Sequence, residues 1–372
     1  MARLPRTRAP ALAALAGVLA LLLCISPAAA DPPRAFYGVS PQNLPNGQEI
    51  ERMGEGQVGT LRFQLRWSAV DPTPFPSAYD WSEVDPIVRE SARAGIDPLP
   101  FLFNTPAWVA TMLDDRECGE GCFAYAPRSD PALEAWRSFV GAAVNRYGPG
   151  GAFWAEHPGI PARPIRAWQI WNEQNSPPFY RPRPDIRRYA ILLAHAAYAI
   201  RQADPNAEIV LGGMYGKPEH GRKPAITAWR FLGRLYEMEW PALAFDTVAA
   251  HPYAARLRGL RDQLHRLREK MRLGGDGGED LWITEIGWSS SAVAHPLNRG
   301  PRGQAERVRE LLEYARQNRR ELRLRRVIWF SWRDVTTGLP VCDWCPLSGL
   351  FKEAELRPKA AWRAFTEFTG GR

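Results

Sequence analysis

A closed barrel of eight parallel strands, each followed by a helix, is the fold this sequence predicts, and three observations predict it. Strand-like and helix-like stretches alternate from residue 35 to the C-terminus without a strand-only region, the rhythm of parallel α/β architecture. The rhythm counts eight units, and 372 residues, 45% of them hydrophobic, suffice to bury a barrel core. Two of the strands each bring a lone glutamate to the carboxyl end, where such barrels keep their chemistry.

The units follow in order. Residues 35–40 read as a short strand, and 47–56 as a weak helix. Residues 60–67, TLRFQLRW, alternate as a strand, and 82–95 form a helix opened by Ser82 as cap with Glu83 in its first turn. A third strand spans 97–104, and a long amphipathic helix spans 130–147, with Asp130-Pro131 suited to its cap and first position. The fourth strand, from Ile165, runs through WQIWNEQN and precedes a helix over 185–203. Residues 208–214 end at Gly212-Gly213 as the fifth strand, with a helix over 226–238. The sixth strand spans 245–253, with its helix over 256–271; the seventh, LWITEIGW, starts at Leu281 and precedes a helix over 304–319. Residues 326–333 are the eighth strand, and 360–369 the closing helix. The result is a single-domain (β/α)8, or TIM, barrel. An open doubly wound sheet is the alternative, but it usually carries a glycine-rich phosphate turn after its first strand, and SPQNLPNG is not one.

The first thirty residues stand apart. Arg3, Arg6 and Arg8 precede an apolar run from Ala9 to Ile25, and Pro27-Ala28-Ala29-Ala30 is a small-residue cleavage site. Residues 1–30 therefore read as a secretory signal peptide and 31–372 as the mature domain, secreted or associated with the cell envelope. A retained membrane anchor is the alternative, since the run approaches spanning length. Cleavage lowers the formal charge from +8 to +5. The arginines are dispersed along helices, which argues against nucleic acid as a partner, although a mildly cationic surface suits acidic polysaccharide. Cys118 and Cys122 share one loop, Cys342 and Cys345 another. In an oxidising compartment these read as two local disulfides, with cross-pairing or a four-cysteine zinc site as alternatives.

Glu173 closes the fourth strand and Glu285 the seventh, 112 residues later, or three to four βα units away at roughly 30 residues each. Two carboxyls facing each other across a barrel mouth are what glycosidic bond cleavage requires: one protonates the leaving oxygen, the other attacks or activates water. Tryptophan lies beside each acid, and apolar ring surface suits the faces of sugars. Each Glu taken alone could be a solvated strand end. Asp246, which starts its strand, and Asp334, past the eighth strand, are competing acids.

The eight units, Asn-Glu ending strand four and Glu ending strand seven together resemble the clan A retaining glycoside hydrolases. WQIWNEQN, with LRFQLRWSAVDP on strand two and NTPAW after strand three, looks most like family 39 and its neighbours. The resemblance implies Glu173 as general acid/base and Glu285 as nucleophile. It implies Arg62 beside the nucleophile, Asn172 on the hydroxyl next to the reacting carbon, and His251 and Tyr253 on strand six, with Tyr253 donating to the nucleophile. Trp329 or Trp332 would floor the sugar site, the choice depending on strand parity; Trp108 and Trp288 are further binding candidates. Burial of Glu173 among Trp108, Trp168 and Trp171 would keep it protonated. His251 reads equally well as a structural histidine. The expected protein is a retaining β-glycosidase acting on an oligo- or polysaccharide without metal or cofactor; a non-catalytic carbohydrate-binding barrel and a transglycosylase using the same site are the alternatives.

Overall fold

Eight strands pair in sequence order, β1 through β8, and β8 returns to pair with β1, closing a parallel barrel. The computed structural model describes residues 31–74, 78–111, 119–217, 225–238, 244–335, 342–353 and 356–372. The predicted signal segment, residues 1–30, lies outside the described residues. Pro32–Arg372 forms one unit.

The strands are β1 Tyr37–Ser40, β2 Thr60–Arg66, β3 Asp97–Phe103, β4 Ala167–Asn172, β5 Glu208–Tyr215, β6 Thr247–His251, β7 Asp280–Ile286 and β8 Leu324–Phe330. Among the described residues the helices are α1 Gly47–Glu55, α2 Trp67–Val70, α3 Asp85–Ala94, α4 Ala107–Thr111, α5 Asp130–Tyr147, α6 Ala152–Glu156, α7 Ile186–Ala203, α8 Ala228–Tyr236, α9 Leu257–Leu273, α10 Gly300–Gln317 and α11 Ala360–Thr369. None of them is long and apolar enough to cross a membrane.

Element boundaries moved where local chemistry intervened. Asn46 caps α1 in a reciprocal capping box with Glu49, so that helix is better closed than its composition suggests. Helix α3 begins at Asp85, not at Ser82, because Ser82 N–H bonds Asp80 in a turn and Glu83 is drawn to Arg66. Ser129, not Asp130, caps α5 by accepting from the Ala132 N–H.

The hydrophobic core divides by strand parity. Leu99, Ala167, Val210, Ala249, Trp282 and Ile328, one from each of β3 to β8, form a separate buried cluster, the apolar layer expected inside such a barrel. Alternate residues such as Leu61, Phe63, Trp168 and Ile170 belong to the larger cluster shared with the helices. Trp168 therefore packs outward, away from the acids.

Candidate active site

Polar side chains on the interior face form a layer around Arg62, which is fully buried. Such a cation requires acceptors, and three strands, β1, β4 and β7, supply them. Its Nη1 donates to Glu285 Oε1 at 2.5 Å and to Ser40 Oγ at 3.2 Å; its Nη2 donates to Asn172 Oδ1 at 2.8 Å and its Nε to Gln169 Oε1 at 2.6 Å. The guanidinium also lies 4.0 Å from the centroid of the Phe101 ring, a cation–π contact that covers its face.

The two acids reach the same space through irregular backbone. Trp171 and Glu173 have positive φ, 74° and 45°, a conformation that costs a non-glycine residue on the order of 1–3 kcal/mol. This break in the alternation lets neighbouring Asn172 and Glu173 both meet interior partners, Arg62 and His251. On β7 the pairing with β8 shifts between Ile283 and Ile286, and Thr284 and Glu285 likewise both reach the interior. A regular strand would turn one of each pair outward.

Glu173 Oε1 lies 2.8 Å from His251 Nδ1, His251 Nε2 lies 3.1 Å from Thr284 Oγ1, and Tyr253 Oη donates to Glu285 Oε2 at 3.1 Å. One carboxylate oxygen of each acid and a ring nitrogen of His251 lie within 4.8 Å of one another. Burial and the neighbouring Glu285 raise the Glu173 pKa well above the carboxylate range, although Arg62 opposes this. Burial and Arg62 push His251 well down, so it is held neutral. Burial and both acids raise Tyr253 well above its ordinary value and keep it a donor. The Glu173, His251 and Glu285 donors could geometrically surround a cation, but the guanidinium already bonded to Glu285 repels one there.

Glycine makes room for the histidine. A Cβ on Gly213 would stand 2.0 Å from His251 Nε2, closer than any real contact, and the Gly213 carbonyl accepts from the Glu173 N–H at 2.9 Å. Gly213 thus positions both residues.

The structure brings Arg62, Asn172, Glu173, His251, Tyr253 and Glu285 together, but it corrects several expected roles. His251 and Arg62 are fully buried, so they act on the acids and do not present surface to substrate. Trp332 is fully buried between Phe351 and Trp362 on the side of α11. Trp329 is buried, donates to Ser348 O at 3.2 Å and packs on Trp288. Neither can floor a sugar: β8 parity, with Ile328 inward, turns Trp329 towards the helix layer, and Trp332, past the end of the strand, is packed against α11. Trp288 is itself fully buried, donating to Ala254 O at 2.9 Å. Trp108 is half-buried on α4 and donates to Asp71 O at 2.9 Å, a rim position. Trp171 packs outward against Phe103 and Tyr180, so desolvation by the tryptophans at 168 and 171 is not what surrounds Glu173.

A different set of aromatic rings clusters around Tyr253, beside Glu285. Trp344 meets Tyr253 at 5.1 Å between ring centroids and Phe330 at 6.0 Å, and Tyr253 stacks on Tyr215 at 5.5 Å. Phe330 occupies the strand-end position sought for tryptophan. Trp344 is brought there by the loop that the Cys342–Cys345 disulfide ties, as expected for that pair; Cys118, and with it the 118–122 pairing, lies outside the described residues. Of the competing acids, Asp334 accepts from Lys359 Nζ at 2.9 Å and the Gly349 N–H at 3.0 Å, while Asp246 pairs with Arg201 at 2.6 Å. Both are structural. Gln169 and Thr284 escaped sequence reasoning; the available signal was a polar residue interrupting an apolar interior face.

A parallel (β/α)8 barrel with two acids at the carboxyl ends of β4 and β7 is thus the class that fold and site define. Among solved structures the chain is similar to a family 39 glycoside hydrolase from the gut symbiont Bacteroides cellulosilyticus WH2, with TM-score 0.65 and 17% identity over 91% of this chain and 64% of that one. It is similar to a monomeric β-xylosidase from Caulobacter crescentus CB15, with TM-score 0.64 and 18% identity over 91% of this chain and 69% of that one. A glucosidase from Croceicoccus marinus gives TM-score 0.64 and 15% identity over 92% of this chain and 69% of that one. At these identities the likeness is one of fold, and the chain spans 64% of the length of the first. No family model matches the chain, and no curated protein matches it in sequence.

Proposed function

We propose that the protein is a secreted retaining β-glycosidase that hydrolyses an oligo- or polysaccharide through a covalent glycosyl-enzyme intermediate. The observation that carries this reading is the spacing of the acids. With carboxylate oxygens of Glu173 and Glu285 within 4.8 Å, the pair is near the ~5–5.5 Å of retaining enzymes and short of the roughly 6.5–9.5 Å that inversion needs to admit a water.

The environments divide the roles. Glu285 accepts from Arg62 and Tyr253 on its two oxygens, which holds its carboxylate in place to attack the anomeric carbon. Glu173, kept protonated by burial and by Glu285, gives its proton to the leaving oxygen; once ionised it takes a proton from the water that resolves the intermediate. Asn172 spends its oxygen on Arg62, so its amide N–H groups are the donors available to the hydroxyl beside the reacting carbon. Tyr253, Trp344 and Phe330 offer ring surface to the sugar. The fold shared with a β-xylosidase supports a β-linked carbohydrate substrate, and the small-residue site at 27–30 supports export.

The test is a panel of aryl β-glycosides (xyloside, glucoside, galactoside, mannoside) and of plant and bacterial polysaccharides against the parent and Glu285→Ala. Turnover that vanishes in the variant and returns with azide as an inverted glycosyl azide is expected. A parent that binds glycan but turns over none of them would make the barrel a binding protein. The exported protein should begin at Asp31 on N-terminal sequencing.

A further inference from the structure

The hydrogen-bond donors beneath the two acids can be assigned one by one. Arg62 has donors only, and its Nε points at one end of the Gln169 amide at 2.6 Å. That end is therefore the oxygen. The amide nitrogen faces the Leu211 carbonyl at 3.1 Å and Thr284 Oγ1 at 3.3 Å, and a flipped amide would oppose donor to donor and acceptor to acceptor. Thr284 Oγ1 thus receives a proton from Gln169 and must still place its own. Among its described contacts the other is His251 Nε2 at 3.1 Å, so Nε2 is the acceptor. The imidazole proton then sits on Nδ1, aimed at Glu173 Oε1 at 2.8 Å. The alternative tautomer would leave the Thr284 hydroxyl proton buried without an acceptor and set two lone pairs, or a forced carboxyl proton, between Glu173 and His251. Gln169, Thr284, His251 and Arg62 are all fully buried, so bulk water does not reshuffle the chain.

Resting on the reading of Glu173 as the general acid, we propose that Gln169 and Thr284 are positioning residues: acting through the Nδ1–H tautomer of His251, they keep the Glu173 proton on Oε2, the oxygen that the histidine does not engage. Arg62 belongs to both arms, holding Glu285 directly and setting the tautomer through Gln169. The step balances without moving a proton through His251. Glu285 forms its bond to the anomeric carbon as the glycosidic C–O bond breaks, the Oε2 proton passes to the leaving oxygen, and the Nδ1–H bond to Oε1 remains to steady the carboxylate formed. In the second half the water oxygen bonds the anomeric carbon as its ester bond to Glu285 breaks, and Oε2 recovers its proton from that water.

Two measurements on the folded, full-length mature protein test this. In 15N-histidine NMR, with His251 assigned by its loss in His251→Asn, the parent should show Nδ1 protonated and Nε2 bare; an Nε2–H parent overturns the proposal whatever the variants do. The second is a leaving-group series on Thr284→Val and Thr284→Ser. Thr284→Val should lower kcat/KM on the order of 10- to 100-fold for phenyl or alkyl glycosides, which need the acid's proton, part of the 10²–10⁴ that general acid catalysis supplies. It should change the 2,4-dinitrophenyl glycosides, which do not need it, less than about threefold. Thr284→Ser should restore both the tautomer and the rate. Equal losses on both substrate types without recovery in Thr284→Ser would mark a merely structural threonine and overturn the proposal. A parent inert on every glycoside would instead defeat the glycosidase reading, while the tautomer would still be read by NMR.

Discussion

Arg62 and Glu285 form an ion pair 2.5 Å across at the centre of the barrel mouth, with the guanidinium fully buried and also bonded to Asn172 and Gln169. The pair joins β2 to β7 beneath the cleft, so the charge that fixes the proposed nucleophile also organises the strand carrying the proposed acid.

Removing that guanidinium should be costly in both stability and rate. Arg62→Met leaves Glu285, Gln169 and Asn172 without their common donor, and loss of one partner of a buried pair costs about 3–5 kcal/mol. Urea denaturation should show a loss of that order, and kcat/KM should fall at least about 10²-fold through misplacement of the nucleophile. A variant as stable as the parent would contradict the network.

Glu173 should make stability depend on pH in a direction opposite to most carboxylates. Its folded pKa is raised by burial and by Glu285. In the interval between the unfolded value, about 4.3, and the folded one, the native state holds a proton that the unfolded chain has released. The parent therefore loses stability as pH rises through that interval, by about 1.4 kcal/mol for each unit of separation. Glu173→Gln should lack this slope, melting higher than the parent at pH 8 and converging with it as pH falls to 4. Parallel melting curves across that range would refute the raised value. The same variant should lose activity on the order of 10²–10⁴-fold for poor leaving groups.

Gly213→Ala should disable the site without touching either acid. The added methyl would sit 2.0 Å from His251 Nε2, so the ring must move from Glu173 and Thr284 or β5 must shift. Overpacking of this kind costs about 1–3 kcal/mol. Thermal denaturation should register that loss, and kcat should fall more than KM rises because His251 supports the acid and touches no substrate.

The Cys342–Cys345 disulfide should matter more to binding than to folding. It closes a loop of sequence separation 3, for which the chain-entropy model gives only about 2 kcal/mol. Trp344, between the two cysteines, packs on Tyr253 and Phe330. The double Cys→Ser variant should keep its fold, lose about 2 kcal/mol or less, and show a KM for oligosaccharide raised several-fold, as should Trp344→Ala. Unchanged KM in both would remove Trp344 from the binding wall.

Much of this site was legible because its residues break a simple pattern. A charged Arg62 between Leu61 and Phe63, and an Asn-Glu pair ending an apolar strand, cannot be ordinary core. What failed was the choice of tryptophan at β8: Trp329 turns outward by strand parity, Trp332 lies past the strand's end against Phe351 and α11, and the less conspicuous Phe330 faces Trp344. Gln169 and Thr284 went unread because their importance lies in contacts 33 to 115 residues away, and neither amide orientation nor hydroxyl direction is written in one strand.

The sequence by itself determined the eight-unit rhythm, the parallel closed sheet it implies, and the two strands that carry the acids, because hydrophobic period and residue type are local properties. Tertiary structure alone decided which oxygen meets which donor. The positive φ at Trp171 and Glu173 and the register shift beside Glu285 place consecutive residues on one face, against the period of two. The approach of the acids to within 4.8 Å follows from barrel closure, which brings β1, β4 and β7 around the buried Arg62 guanidinium of β2, whose charge no single strand could satisfy.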